Sequence, residues 1–285
     1  MSSPPPIITL TTDFGLQDSY VAAMKGAILA INPAVHLVDV SHAIRPQAIE
    51  QAVFILAAAW PYFPQGAIHV VVVDPAVGSR RRALALRSAG ATFVGPDNGV
   101  LSAALSDDIR AAAGDSPYGR LPAPVGLPAG SRAVSLTNES YFRSPISSTF
   151  HGRDVFGPVA AHLSLGVPLE DLGEPVQRIV ALPPFRARRQ PDGSLHGRVL
   201  HIDAFGNLIT DVRVEDLPLP SAVIEVAGRT VEGVSATYEP GADLRAVTGS
   251  SGYLEIAAPG GSAAAVLKAK LGEAVVVRDS SLGSE

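Results

Sequence analysis

Residues 68–75 read Ile68-His69-Val70-Val71-Val72-Val73-Asp74-Pro75, and the fold follows from this stretch. An apolar, β-branched run ended by an acid and a proline suits a strand covered on both faces, as in a parallel sheet. Upstream, residues 7–12 read as a buried strand ending at Asp13-Phe14-Gly15, and residues 35–40 as a second strand. Between them, residues 18–31 carry Val21, Met24, Ile28 and Ile31 at helical spacing and stop at Asn32-Pro33. Residues 47–59 read as another helix, closed by Pro61. Downstream, residues 82–87 and 92–94 add strands and residues 100–105 a short helix. Strands alternating with helices predict an α/β domain with a mostly parallel sheet and flanking helices.

Residues 107–132 break this pattern. They are rich in Pro, Gly and Ala and show little periodicity, so they are expected to form a peripheral surface loop. Residues 134–136 resume a strand, and residues 154–165 form a helix directly after His151-Gly152-Arg153. Composition then shifts, with Pro168, Gly173, Pro175, Pro183 and Pro184. Beyond it, six short strands (197–202, 208–212, 222–226, 244–247, 253–257 and 274–278) alternate with turns, and residues 263–271 form a short helix. The expected organisation is an N-terminal α/β domain over residues 1–175, a linker over 176–191 and a smaller all-β barrel over 192–285.

The chain has 285 residues, is 47% hydrophobic and carries a formal net charge of −5. That length accommodates two cores. The acidic balance argues against a nucleic-acid partner, because Arg80-Arg81-Arg82 and the arginines at 186–189 are too short to form a basic stripe. There is no cysteine, which removes disulfides, thiolate catalysis and thiolate-bound metals. The apolar runs fall short of a membrane span. The start, Met-Ser-Ser-Pro-Pro-Pro, lacks the basic and apolar regions of a signal peptide, so a soluble cytoplasmic protein is expected.

Three motifs fall at one edge of the expected sheet, where such sheets bind ligands. Thr12-Asp13-Phe14-Gly15 ends the first strand. It matches the magnesium-binding triplet of protein kinases by chance, since no nucleotide-binding lobe precedes it. An acid at this place accepts hydrogen bonds from ribose hydroxyls, or caps the next helix. Asp74 ends the 68–73 strand, with Arg81 as its near partner, either as chemistry or as a pin for the loop. Phe150-His151-Gly152-Arg153-Asp154 opens a helix that Asp154 can cap. A carboxylate, a guanidinium and an imidazole together orient and deprotonate a water. Gly95-Pro96-Asp97-Asn98-Gly99 has the composition of a turn. In the β region, Ile202-Asp203-Ala204-Phe205-Gly206-Asn207 joins an acid, an aromatic ring and an amide in one tight turn. Ser250 opens a strand with Tyr253-Leu254-Glu255-Ile256-Ala257.

Taken in order, these motifs closely resemble the S-adenosylmethionine hydroxide adenosyltransferases, relatives of the fluorinating and chlorinating enzymes. The resemblance runs from Ile7 to Arg278. It implies an N-terminal α/β domain, a C-terminal β-barrel and a homotrimer, with substrate between the N-domain of one subunit and the C-domain of the next. It implies hydrolysis of S-adenosylmethionine to adenosine and methionine with no cofactor and no metal. It assigns Asp74, Arg81 and His151 to the water. Asp13 is assigned to the ribose, Asp18 and Asp203 to the methionine amino group, and Phe205 and Asn207 to the purine. Ser250, at the start of the 250–257 segment, is expected as a further binding residue.

The halogenating relatives replace the acid and the histidine and carry an insertion before the Pro-x-Asn-Gly turn. This chain has Asp74 and His151 and is short between Arg82 and Phe93, which favours water over halide. Ala76 stands where the family usually has glycine, so a negative φ is expected there. Two other readings remain at this point. One is a halide-dependent adenosyltransferase. The other is a non-catalytic S-adenosylmethionine or nucleoside sensor, which has no need of Asp74 and His151 together.

Overall fold

The computed structural model describes residues 4–114, 121–238 and 243–282. The chain divides into two compact units, Met1–Pro184 and Phe185–Glu285.

The first unit is built on strands β1 (Ile7–Thr12), β2 (His36–Ser41), β3 (Ile68–Val72), β4 (Ala83–Ser88), β5 (Ala91–Pro96), β6 (Ala123–Gly126), β7 (Arg132–Leu136), β8 (Gly173–Val176) and β9 (Arg178–Ala181). Its helices are α1 (Tyr20–Ile31), α2 (Ile49–Ala59), α3 (Asp107–Ala111) and α4 (Gly157–Ser164). The main sheet has seven strands in the order β2-β1-β3-β5-β4-β7-β8. As the sequence implies, β3 is buried along its length and parallel to its neighbours β1 and β5.

The sheet is mixed, however, rather than mostly parallel. The β1–β2, β1–β3 and β3–β5 pairings are parallel, while β5–β4, β4–β7 and β7–β8 are antiparallel. The cause is a two-residue hairpin. Ser88 pairs with Ala91, and Ala89 and Gly90 between them both have positive φ, at 50° and 82°. That is the backbone such a tight turn requires, and it leaves β4 and β5 no course but antiparallel.

Met24 and Ile28 of α1 and Val159 and Ala160 of α4 pack with Leu10, Val70 and Val72 in one core. Elsewhere in the unit, His69 stacks on Phe93 at 5.1 Å, with Trp60 and Phe63 edge-on to it. Its Nδ1 meets Thr9 Oγ1 at 2.8 Å. Burial pushes the His69 imidazole down to about 4, so it is a neutral core residue.

The expectation for residues 107–132 needs correction. They contribute α3 and β6, and β6 pairs antiparallel with β9 in a separate two-stranded sheet. Val125 is fully buried there, and Arg110 donates to the carbonyls of Leu182 and Pro183. Residues 115–120 of that stretch lie outside the described residues. The 176–191 segment carries β9 in the first unit and β10 (Arg188–Arg189) in the second.

The second unit adds β11 (Leu195–Ile202), β12 (Leu208–Arg213), β13 (Ala222–Val226), β14 (Arg229–Glu232), β15 (Arg245–Thr248), β16 (Tyr253–Ala257), β17 (Ala274–Asp279) and the short helix α5 (Ala263–Leu267). These strands form one antiparallel sheet in the order β14-β13-β17-β11-β12-β16-β15, with β10 on β11. An isolated bridge between Ser235 and Val247 brings the chain after β14 back to β15 and nearly closes the sheet. Its inner residues, among them Val199, Leu208, Ile224, Leu254 and Val277, form a second core.

Candidate active site

The parallel strands β1, β3 and β5 end at one edge of the first sheet, and antiparallel β4 begins there. Asp74 follows β3 and Arg81 precedes β4, so the loop between them leaves and returns at the same edge. Arg81 Nε and Nη2 both donate to Asp74 Oδ2, at 2.8 and 2.5 Å. Nη2 also donates to His151 Nδ1 at 2.8 Å. The pair is buried, with the Asp74 side chain 4% and the Arg81 side chain 9% exposed. Phe156 covers the guanidinium, 5.4 Å from its ring centroid.

Local sequence explains why the loop holds this shape. Asn98, in the turn after β5, donates Nδ2 to the carbonyl of Val73, next to Asp74. Gly78 has φ +75°, and a Cβ on it would lie 2.3 Å from the carbonyl oxygen of Ser148. Only glycine lets this loop rest on the segment that leads to His151. Ala76 is free of the positive φ, which falls on Gly78 instead.

His151 caps a π-helical turn, Gly152–Phe156, that runs into α4. Such turns carry one residue more than an α-helix and often occur at functional sites. Asp154 is not the helix cap. It is fully buried, accepts the N–H of Ser147 and binds Arg153 at both oxygens, so it fixes the segment before His151. The bonds from Arg153 and Ser147 outweigh burial and hold its carboxyl below the usual range.

An arginine only donates hydrogen bonds, so His151 Nδ1 must accept and the ring hydrogen must sit on Nε2. Burial, and then the charge of Arg81, lower the His151 pKa from its ordinary 6.5. Asp74 Oδ1 is also buried, and no donor among the described residues reaches it. The cluster thus offers one uncommitted carboxylate oxygen beside a fixed positive charge.

Asp13 sits just past β1, partly buried, and accepts the N–H of Gln47 at Oδ2, 2.8 Å away. Phe14, Tyr20 and Phe150 form a triangle of rings 5.3 to 6.1 Å apart. A Cβ on Gly152 would lie 3.0 Å from the Phe14 ring. The Asp13 loop therefore packs directly on the His151 turn. Asp18 is exposed on the approach to α1.

In the second unit, Asp203 accepts the N–H groups of Phe205 and Asn207 at Oδ1 and the Asn207 side-chain amide at Oδ2. Its carboxylate shapes the turn and presents Phe205, which is 79% exposed. Ser250 is exposed at a neighbouring turn of the same sheet. Buried Glu255 accepts from Tyr238 Oη at 2.9 Å. Burial and the charge of Asp203 raise the Glu255 pKa. Tyr238 is pushed up to about 12, by burial first and then by Glu255.

Two family models match the chain. The SAM hydroxide adenosyltransferase N-terminal domain matches residues 8–173, and the corresponding C-terminal domain residues 197–276. The chain belongs to this family. A Salinispora tropica protein named (R)-S-adenosyl-L-methionine hydrolase is 37% identical over 93% of this chain and 95% of its own length. A Thermus thermophilus protein of the same name is 40% identical over 92% and 95%. A solved structure of an uncharacterised conserved protein from Thermotoga maritima aligns with a TM-score of 0.79 at 29% identity, covering 95% of this chain and 99% of that one. A Nocardia brasiliensis protein named fluorinase is more distant, at 26% identity over 96% of this chain and 97% of its own.

The structure joins Asp74 and His151 through Arg81, which binds both, and sets Asp13 on a loop whose Phe14 packs on the His151 turn. Asp203, Phe205 and Asn207 are brought together in the second unit, as one turn. Sequence reasoning gave Asn98 no place in holding the loop that carries Asp74. Its segment reads by composition as a turn, and as one motif of the family resemblance, with no role given to Asn98 itself. Among the described residues, no group of three or more His, Asp or Glu side chains is arranged to hold a metal ion, and no helix is long and apolar enough to cross a membrane.

Proposed function

We propose that this chain is a cytoplasmic S-adenosyl-L-methionine hydrolase, in which water attacks the 5′ carbon and releases adenosine and L-methionine. The observation that carries the reading is the buried, uncommitted Asp74 Oδ1, whose partner oxygen is locked by Arg81. The names of the Salinispora and Thermus relatives supply the substrate.

In this reading Asp74 Oδ1 accepts a hydrogen of the water as the oxygen closes on C5′. The new C5′–O bond forms as the C5′–S bond breaks, and the electron pair leaves with sulfur as the neutral thioether of methionine. A neutral leaving group needs no general acid, so the nucleophile is the difficult partner. Carboxylate and water differ greatly in basicity, so proton transfer runs with C–O bond formation rather than ahead of it. Arg81 fixes the orientation of the Asp74 carboxylate through two N–H groups on Oδ2, and His151 holds Arg81 in place. Fixing the water in line with the C–S bond supplies the proximity contribution. Asp13 takes the ribose hydroxyls, Asp18 and Asp203 the amino group, Phe205 and Asn207 the purine, and Ser250 a further contact.

These ligand residues fall in both units. With the family resemblance, that supports a homotrimer whose sites draw on two subunits. Light scattering that finds a fully active monomer overturns the assembly. A carboxylate beside the nucleophile disfavours a halide, and a mere sensor has no use for a buried free carboxylate oxygen. The test is incubation with S-adenosylmethionine in chelator-treated, halide-free, 18O-enriched water. Adenosine labelled at O5′, with methionine, is expected. A halogenated nucleoside that forms only when halide is added, or binding without turnover, overturns the reading.

A further inference from the structure

We propose that Thr12, His42 and Asp39 form a positioning relay that aims the Asp13 carboxylate at the ribose. The proposal rests on the assignment of Asp13 to the ribose hydroxyls. Thr12 is the last residue of β1 and fully buried. Its hydroxyl meets His42 Nδ1 at 2.8 Å and accepts the N–H of Phe14 at 3.2 Å. Since Oγ1 already accepts from Phe14, its own hydrogen is free to go to His42 Nδ1, which leaves the imidazole hydrogen on Nε2. His42 Nε2 lies 3.0 Å from Asp39 Oδ1, close enough to be steered by the carboxylate though not aligned as a hydrogen bond. Asp39 Oδ2 takes Lys25 Nζ at 2.6 Å. Burial raises the Asp39 pKa, but the hydrogen bond from Lys25, with the nearby His42 ring, more than reverses this and lowers it overall.

The same loop grips Asp13 from its other side. The carbonyl of His42 accepts the N–H of Gly15 at 2.8 Å. Gln47 donates its N–H to Asp13 Oδ2 from a backbone with φ +66°, which residues other than glycine rarely adopt. Asp13 is thus bracketed by Thr12, Phe14 and Gly15, all tied directly or through Thr12 to His42. His69 makes a similar bond to Thr9, but inside an aromatic core. The His42 chain instead ends at the site loop.

Thr12→Val keeps the shape and removes the hydroxyl, Thr12→Ser restores it, and Asp13→Asn reports on the ribose assignment itself. The readouts are kcat and KM for S-adenosylmethionine, and inhibition by adenosine and by 2′,3′-dideoxyadenosine. Thr12→Val is expected to raise KM and the adenosine inhibition constant roughly 5- to 30-fold. It should leave kcat within about 3-fold and dideoxyadenosine inhibition unchanged, with Thr12→Ser close to the parent. On the Asp13→Asn background Thr12→Val should add little, because it acts through Asp13. If Asp13→Asn abolishes the preference for adenosine and Thr12→Val leaves it intact, the relay is wrong. If Asp13→Asn itself leaves the preference intact, the ribose assignment falls and takes the relay with it. Should Thr12→Val not fold, Asp39→Asn, at the exposed end of the chain of contacts, carries the same readouts.

Discussion

Arg81 Nη2 donates to His151 Nδ1 at 2.8 Å, and a guanidinium has no lone pair to offer in return. The imidazole is therefore neutral, with its hydrogen on Nε2, and neither ring nitrogen can take a proton without breaking the contact to Arg81. In the proposed reaction this leaves Asp74 Oδ1 to act as the base. Hydrogen-bond valence thus fixes the His151 tautomer, and the proposed division of roles is built on it.

Asp74→Asn keeps the volume and an oxygen for Arg81 but removes the base. Turnover should fall roughly 10²- to 10⁴-fold, the usual contribution of a general base. Affinity for S-adenosylmethionine should stay within about 3-fold by isothermal calorimetry, since the residue is assigned to the water and not to the ligand. A variant that turns over normally but binds weakly would falsify the assignment.

The neutral state of His151 sets the pH dependence. Its folded pKa is lowered from 6.5 by burial and by Arg81. Protonation would turn Nδ1 from an acceptor into a donor facing a cation. Activity should therefore be flat above about pH 6.5 and decline only as pH falls through the lower, folded pKa. The linked stability has the same sign: the unfolded state binds the proton first, so stability is lost as pH falls below 6.5. A pH profile of kcat/KM whose acid limb is centred at or above 6.5 contradicts this.

Much of this was legible in the sequence because periodicity and residue chemistry agreed. The β-branched run at 68–73 announced a doubly covered strand, and the acid after it fell at the edge where the parallel strands end. The hairpin between β4 and β5 was not legible. Ala89 occupies a positive-φ turn position where Asn, Asp or Gly is the usual signal, so the antiparallel half of the sheet went unread. β6 and β9 were hidden for another reason. They are four-residue strands in a Pro-rich context, and their partners are more than fifty residues apart in sequence. His42 had no motif to mark it, because its partners Thr12 and Asp39 matter only once β1 and β2 lie side by side.

Gly78→Ala tests how tightly the water-binding loop is seated. A methyl there meets the Ser148 carbonyl oxygen at 2.3 Å and also strains a φ of +75°. The backbone conformation alone costs about 1 kcal/mol, and the collision forces either this loop or the segment before His151 to move. A displacement of about 1 Å at a catalytic group can cost 10²-fold in rate. A large loss of kcat with a modest drop in melting temperature is expected. Unchanged kcat would show that the loop and the 147–150 segment are not held together by this contact.

The last prediction concerns β6, in the stretch that by composition alone looked dispensable. Val125 is fully buried, and β6 pairs with β9 along all four of its residues, with one further bridge from Gly99 to Ala181. β9 in turn is tied to the site edge: Val180 donates its N–H to Asp97 Oδ1 at 2.7 Å, and Arg82, the neighbour of Arg81, binds Asp97 Oδ2 and the carbonyl of Arg178. Yet no side chain of β6 is among the proposed ligand or water contacts. Replacing residues 123–126 with a Gly-Ser segment should therefore destabilise the first unit by several kcal/mol, through the lost pairing and the buried valine. While the protein remains folded, kcat should change only a few-fold, and KM should not track the stability loss. Melting temperature and kinetics measured on the same preparation decide it. A fully stable but inactive variant would mean that this segment acts on the substrate, and a stable, active one that β9 keeps its place without β6.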